Sequence, residues 1–112
     1  MAALTIWQFL IVGYFATIAV EIPILYFGLR PSHSVATRLF AGVWLTACTY
    51  PIVVLALPAI SGTHYDLIAE TFAPIAEILA FRTVVGSWNL RDSAAILIAN
   101  LASYAVGRII FG

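Results

Sequence analysis

The sequence predicts an all-α membrane protein built as a bundle of four transmembrane helices. Apolar residues make up 63% of the 112 and charged residues only 9%, and the mean hydropathy is +1.07. Soluble domains usually carry about a quarter charged residues, so this composition indicates a lipid environment. Four apolar runs are each close to the ~20 residues that a helix needs to cross a bilayer, and three short polar segments separate them.

The four runs predict the four helices of one transmembrane domain that covers residues 1–112. We expect helices over about residues 4–29, 39–60, 65–85 and 93–111. The segments between them, RPSHSVATR, SGTHYD and GSWNLRDS, have the turn residues and charges typical of connections, and they are too short for a second domain. The first run is too long for a signal peptide and contains no Lys or Arg, so we interpret it as a retained anchor.

The arginines predict how the chain is oriented, because cytoplasmic loops are enriched in Lys and Arg. The chain has no lysine, and the second loop has no arginine. Most of the arginines lie in or beside the first and third loops: Arg30, Arg38, Arg82 and Arg91. We therefore expect loops one and three in the cytoplasm and both termini outside, which is the periplasmic side if the membrane is a bacterial inner membrane. Arg108, near the outer end of the fourth helix, is the exception.

A short polar motif recurs in the second and fourth helices. TACTY, residues 46–50, aligns with NLASY, residues 100–104. The alignment pairs Thr46 with Asn100, Thr49 with Ser103, and Tyr50 with Tyr104. At a similar offset, VEI around Glu21 matches AEI around Glu77. The match predicts two parallel hairpin repeats related by an axis along the membrane normal, as in some transporters; chance similarity between hydrophobic helices is the alternative.

Four segments of the chain, EIP, TACTYP, AETFAPIAE and ANLAS followed by Gly107, together resemble small four-helix bacterial integral membrane proteins with no established activity. The resemblance covers most of the chain and implies a four-helix membrane domain. In those proteins the second-helix motif often ends in Asn-x-x-Thr-His-Pro, whereas this chain has Thr46 at the Asn position and Tyr50 at the His position. The missing histidine weakens a metal-ligand interpretation of this motif.

Several polar side chains fall inside the predicted spans. With a helical rise of ~1.5 Å per residue, Glu21 lies ~13 Å from Arg30, and Asn100 lies ~12 Å from Asp92. These groups therefore gather between the bilayer midplane and the cytoplasmic face. An isolated charge there costs ~2.5–3.5 kcal/mol on insertion scales, so such residues normally face the bundle interior and have partners. The candidate ion- or substrate-binding residues are Glu21, Glu77, Thr49, Tyr50, Asn100, Ser103 and Tyr104.

Three interpretations of these polar residues remain open. The first is structural: hydrogen bonds between them hold four helices in one register. The second is a cation or proton pathway in which Glu21 and Glu77 bind the ion or exchange the proton, as in a small transporter or channel. The third is a non-catalytic accessory subunit or assembly factor of a larger membrane complex, in which the glutamates meet a partner helix.

Prolines within the predicted spans bear on the second interpretation. Each removes a backbone donor and frees the carbonyl four residues earlier. The prolines are Pro23, Pro51, Pro58 and Pro74, and the freed carbonyls belong to Ala19, Ala47, Val54 and Glu70. Loose carbonyls beside carboxylates are typical of cation sites in transporters. Proline is also frequent in membrane helices without such a role.

Glu70 is expected to differ from Glu77. It lies nearer the outer surface, at a depth similar to that of Arg108 on the antiparallel fourth helix. We therefore predict a structural ion pair between Glu70 and Arg108, which would also explain an arginine on the outer side. The alternative is that Arg108 extends to the outer headgroups.

Two strips of small residues predict close helix packing in lipid. They are Ala95, Ala99, Ser103 and Gly107 on the fourth helix, and Ala69, Ala73, Ala76 and Ala80 on the third. We expect one strip to be used within the chain. Because four short helices enclose little volume, a path for anything larger than a bare ion is expected to need a homo-oligomer. Trp7, Trp88 and Tyr65 suit the interfacial belts, and Trp44 suits internal packing.

Other functional classes find little support in the sequence. Net charge is zero and no basic cluster is present, which argues against nucleic acid as a partner. Cys48 is the sole cysteine and is expected to be a small buried apolar residue. His33 and His64 lie in loops on opposite faces, so they cannot share a metal. No nucleophile–base set or phosphate-binding loop is readable, so we expect neither an enzyme nor a cofactor; an intramembrane hydrolase or a lipid-modifying activity is the alternative. We expect partners limited to the bilayer and to other membrane chains.

Overall fold

The computed structural model describes residues 5–56 and 64–111. Within these ranges the chain forms four long α-helices and no strand, which confirms the all-α prediction. The helices are α1 (Ile6–Gly28), α2 (Val35–Pro51), α3 (Tyr65–Val85) and α4 (Leu90–Phe111), and a π-helical segment, Ile52–Ala56, continues α2. The predicted end of the second span, with Pro58, lies outside the described residues.

Three of the helical stretches are long and apolar enough to cross a membrane: residues 6–28, 35–56 and 90–110. The helix α3 has a similar length, 21 residues, but its sequence carries Glu70, Glu77 and Arg82. Side chains on the outside of the bundle are largely apolar, and large examples such as Phe27, at 75% exposure, have no protein covering them. The chain is therefore a helical bundle with an apolar exterior, as expected for a membrane protein.

Local hydrogen bonds set where the helices begin and end. Thr5 and Gln8 form a reciprocal capping box at the start of α1. Ser34 caps α2 by accepting from the Thr37 N–H, so this helix begins before the predicted residue 39. The Asn89 side chain accepts from the Asp92 N–H, and α4 likewise begins before the predicted residue 93. Gly86, at φ 87°, ends α3 in the left-handed conformation that favours glycine.

The helices are arranged as a ring in which α1 packs against α2 and α4, and α3 packs against the same two helices. Small residues permit the close approaches. A Cβ added to Gly28 of α1 would lie 2.9 Å from the Ala95 Cβ of α4. A Cβ added to Gly42 of α2 would lie 3.2 Å from the Ile22 side chain of α1. The strip of small residues on α4 therefore packs against another helix of the same chain, as predicted for one of the two strips.

The apolar core fills one end of the ring, which we call the loop end because it carries the connections α1–α2 and α3–α4. Its buried members include Leu25, Leu45, Phe81 and Ile96. Trp44 stacks on Phe81 with ring centroids 6.5 Å apart, which agrees with its predicted packing role. The loop end is thus closed by close-packed side chains.

Cys48 departs from its prediction. Its apolar surroundings in the sequence predict a buried residue, but Cys48 is exposed on the outer face of α2. The reason is helical periodicity: the inward face of α2 is taken by Leu45, Thr46 and Thr49, which are all buried, and Cys48 falls between them on the outside. Apolar surroundings in the sequence therefore did not indicate burial within the protein.

Candidate functional site

A cavity of about 340 Å³ lies between the four helices, on the side of the core away from the loop end. We call the opposite end of the bundle the cavity end. Phe9 of α1, Val53 after α2, Tyr65 of α3 and Ile110 of α4 line it near that end. Its inner lining is polar and is formed by Glu21, Thr46, Thr49, Glu77, Asn100 and Ser103, which we call the polar layer. This volume exceeds the ~10–15 Å³ that a cavity needs to hold one water, so the space between the helices is larger than a bare ion requires.

Glu77 is held by hydrogen bonds at both carboxylate oxygens. The Thr49 hydroxyl donates to Oε2 at 2.8 Å, and the Asn100 amide donates to Oε1 at 3.3 Å. The same Asn100 amide nitrogen also donates to the Ile96 carbonyl at 2.9 Å, which fixes its orientation. Glu77 is only 2% exposed. Its carboxylate is therefore buried and fully satisfied by neighbouring helices.

Glu21 is equally buried, at 2% exposure, but only one of its oxygens has a partner. The Ser103 hydroxyl lies 3.0 Å from Oε2, whereas Oε1 makes no hydrogen bond. Thr46, also 2% exposed, has a hydroxyl oxygen that likewise makes none. Within the described residues, these are the buried side-chain polar atoms without a partner. Both residues line the cavity.

The hydroxyl–carboxylate bonds run reciprocally between the two halves of the chain. Thr49 of the first hairpin donates to Glu77 of the second, and Ser103 of the second hairpin lies within hydrogen-bond distance of Glu21 of the first. The sequence alignment pairs Thr49 with Ser103 and Glu21 with Glu77, so paired residues make equivalent bonds. Each hairpin thus contributes a hydroxyl to the glutamate of the other. The duplication itself stays a prediction.

The two tyrosines of the repeated motif, Tyr50 and Tyr104, both line the cavity. The Tyr50 hydroxyl contacts Gly13 of α1 so closely that a Cβ at that position would overlap it. The Tyr50 ring also lies beside Tyr14, with centroids 6.1 Å apart. Tyr50 therefore sits against α1, and the glycine is the residue that makes room for it.

Glu70 and Arg108, the predicted ion pair, also line the cavity. Both lie nearer the cavity end than the polar layer does, because Glu70 is close to the start of α3 and Arg108 to the end of α4. The structure thus places them at one common depth of the bundle. The ion pair between them stays a prediction.

The proline-freed carbonyls do not gather at the polar layer. Pro23 and Pro51 are exposed, and so are Ala19 and Ala47, whose carbonyls these prolines free. Neither Ala19 nor Ala47 lines the cavity, whereas Glu70, four residues before the buried Pro74, does. Helical periodicity again decides this, because a proline on the outer face leaves its carbonyl on that face as well. The first two prolines therefore contribute no oxygen to this site.

A second charged cluster, whose partners are not evident from the sequence, connects two segments at the loop end. Asp92, only 4% exposed, accepts from the Arg30 N–H at 2.9 Å and from Arg30 Nε at 3.0 Å. His33 Nε2 lies 2.8 Å from the same carboxylate. This cluster joins the first loop to the first turn of α4. An aspartate in the first turn of a helix is a recognisable sequence signal for dipole stabilisation, but its partners come from far away in the chain.

The chemistry available at the polar layer is that of oxygen acceptors and hydroxyl donors. Across the described ranges, no three His, Cys, Asp or Glu side chains come together as a group that could hold a metal ion. The layer offers two buried carboxylates, Glu77 with both oxygens hydrogen-bonded and Glu21 with one oxygen that has no partner. Comparison of the chain with protein-family models, with curated proteins and with solved structures finds no match.

Proposed function

We propose that this protein is a small cation- or proton-coupled transporter that works in the membrane as an oligomer, with Glu21 and Glu77 as the carboxylates that handle the ion. The observation that carries the proposal is the cavity between the helices, whose inner lining holds both buried carboxylates. Ionisable residues at membrane depth are costly, and they commonly mark ion pathways or proton relays.

The shape of the bundle favours a transporter over an open channel. The cavity lies on one side of the polar layer, and the core around Leu25, Leu45 and Phe81 occupies the other side. Passage would therefore require the helices to move, as alternating access does around a site near the midplane. The predicted orientation puts the cavity end outside.

An oligomer is part of this proposal, and the bundle exposes apolar side chains on all its helices, such as Phe15, Phe40, Leu79 and Leu101. Lipid covers such side chains well, so their exposure alone does not require another chain. A second copy would supply the additional wall that a complete transport path needs beside four short helices.

The alternative function is that of a non-catalytic accessory subunit or assembly factor of a larger membrane complex. The hydrogen bonds that satisfy both oxygens of Glu77 favour it, because a carboxylate held in this way serves helix packing well. In that case Glu21 would play a corresponding structural role, and no ion would pass.

A flux assay in proteoliposomes separates the two functions. We expect the reconstituted protein to move protons, sodium or potassium, and we expect Glu21→Gln and Glu77→Gln to lose most of that flux. Thr71→Val is the matched control, since Thr71 is exposed on α3 and bonds only to the carbonyl of its own helix. Absence of flux for each cation, or unchanged flux in both glutamine variants, would contradict the transporter; stoichiometric co-purification with another membrane protein would support the alternative.

A further inference from the structure

The two halves of the polar layer differ at one point. In the second hairpin, Asn100 donates to Glu77 Oε1. Its aligned residue in the first hairpin is Thr46, and there both the Thr46 hydroxyl and Glu21 Oε1 make no hydrogen bond. A threonine hydroxyl sits on Cβ and reaches less far than an asparagine amide. Because the first hairpin has Thr46 where the second has Asn100, Glu21 Oε1 lacks the hydrogen bond that Glu77 Oε1 receives.

The two residues that carry these oxygens lie on neighbouring helices that pack closely together. α1 and α2 approach closely at Gly42, where an added Cβ would lie 3.3 Å from the Ile22 backbone nitrogen. Thr46 lies one helical turn from Gly42 on the same face, and Glu21 is next to Ile22 in the chain. Both residues line the cavity at only 2% exposure each. A buried acceptor left without a donor costs about 1–3 kcal/mol, so the position favours a group that brings donors.

We propose that this position binds the ammonium group of a small primary or secondary organic amine, with Glu21 Oε1 and the Thr46 hydroxyl oxygen accepting its N–H donors. The proposal rests on the proposed function for the idea that Glu21 handles a cation, and it deepens it by naming the class of cation. The rest of the amine occupies the cavity towards the cavity end.

The composition of the cavity supports an organic ligand. Besides the carboxylates it is lined by aromatic side chains, Phe9, Tyr50, Tyr65 and Tyr104. Ligand sites for small molecules are typically clefts of ≈ 300–1,000 Å³ with mostly apolar walls and a few placed polar groups, and this cavity of about 340 Å³ falls in that range. Ammonium groups also interact favourably with aromatic faces.

A bare divalent ion suits the position less well. Calcium takes six to eight oxygens and magnesium needs near-octahedral coordination. The open position offers Glu21 Oε1 and the Thr46 oxygen, and the carbonyls that Pro23 and Pro51 free lie away from the cavity. A quaternary ammonium is disfavoured for a different reason, because it has no N–H to satisfy the two acceptors.

Binding of three hexyl compounds to the purified protein in detergent tests the proposal. Hexylamine is protonated at neutral pH and has both the positive charge and N–H donors. Hexyltrimethylammonium has the charge but no N–H donor. Hexanol has the alkyl chain but no charge. Isothermal titration, with detergent micelles alone as the blank, is expected to give hexylamine at least tenfold tighter binding than either comparison compound. Equal binding of hexylamine and hexyltrimethylammonium, or no binding of hexylamine, would overturn the proposal.

Substitution of Thr46 by its aligned residue provides a direct test. Thr46→Asn should donate to Glu21 Oε1 as Asn100 does to Glu77, and it should weaken hexylamine binding at least tenfold without lowering the melting temperature. Thr71→Val is the control and should keep the binding, because Thr71 is exposed on α3 and does not line the cavity. If Thr46→Asn does not fold, Thr46→Val, which removes one acceptor at similar volume, should still weaken binding; unchanged hexylamine affinity in the folded Thr46 variant would overturn the proposal.

The hexylamine binding test can fail or succeed independently of the flux assay, because binding in detergent requires no transport. Flux of an inorganic cation or of protons without hexylamine binding would overturn the amine site and leave the transporter. Hexylamine binding that depends on Thr46 and Glu21, without flux of any cation, would overturn the transporter and leave the amine site.

Discussion

The Thr49 hydroxyl of α2 lies 2.8 Å from the Glu77 carboxylate of α3, and this bond joins the two halves of the bundle inside a buried layer. Thr49 is 4% exposed and Glu77 is 2% exposed. Ser103 and Glu21 form the equivalent contact at 3.0 Å. The two contacts place a hydroxyl of each hairpin on the glutamate of the other, so they hold the halves together as well as orienting the carboxylates.

Thr49→Val should destabilise the bundle. The substitution keeps the shape of the side chain but leaves Glu77 Oε2 without its donor, and an unsatisfied buried acceptor costs about 1–3 kcal/mol. We expect a lower melting temperature in detergent than for the wild type. Thr71→Val is the control and should change little, because its hydroxyl is exposed and bonds within α3. Equal stability of the two variants would show that the Thr49 bond contributes nothing.

Gly13→Ala should also destabilise the protein, through overlap of the new methyl with the Tyr50 hydroxyl. Overpacking of this kind typically costs about 1–3 kcal/mol. Adding Tyr50→Phe removes the overlapping oxygen and should recover much of the loss, as measured by thermal unfolding. Gly107→Ala is the matched control, since an added Cβ there meets nothing within 4 Å. A double variant no more stable than Gly13→Ala alone would contradict the predicted contact.

Asp92→Asn should weaken the connection between the first loop and the start of α4. Asp92 accepts two hydrogen bonds from Arg30 and lies 2.8 Å from His33 Nε2. Hydrogen bonds to charged groups are worth about 1.5–3 kcal/mol, so we expect a comparable loss in unfolding free energy and faster proteolysis of these segments. Arg82→Gln is a suitable control, because Arg82 is exposed and contacts the Trp88 ring instead. If Asp92→Asn resists protease as well as the wild type does, the contacts of Asp92 with Arg30 and His33 do not stabilise these segments.

The pair Glu70 and Arg108 is tested by a double-mutant cycle. If the predicted ion pair forms, Glu70→Ala and Arg108→Ala should each lower stability, and the double variant should lose less than the sum of the two. The readout is the unfolding free energy in detergent, measured for all four proteins under one condition. Simple addition of the two effects would mean that the pair does not exist.

Much of the helical framework could be predicted from the sequence, because its signals are local. Apolar runs, capping residues and the glycine at position 86 predict where helices form and stop, and the expected span 65–85 agrees with α3, Tyr65–Val85. The helix starts at Val35 and Leu90 were missed because their caps, Ser34 and Asn89, lie among polar loop residues. The candidate glutamates were also recognisable, because charge inside an apolar run is rare.

The partners of these residues could not be predicted in the same way. That Asp92 would meet Arg30 and His33, or that Cys48 would face outward, depends on how the helices are rotated and which loops adjoin. The proposed proline-freed carbonyls at Ala19 and Ala47 failed for this reason, since they lie on the outer faces of their helices. Hydrophobicity in a membrane chain gives little information about which face of a helix is inward, because both the lipid and the core are apolar.

By itself, the sequence determined that the chain is an apolar, all-α protein with polar residues inside its helices, because composition and short-range pattern carry that information. The tertiary structure decided what those polar residues do to one another. Only the ring of four helices brings Thr49 to Glu77 and Ser103 to Glu21, and only there do Thr46 and Glu21 differ from their counterparts. Hydrogen bonds have a short range and a defined direction, so the pairing of these groups exists only after the helices have packed.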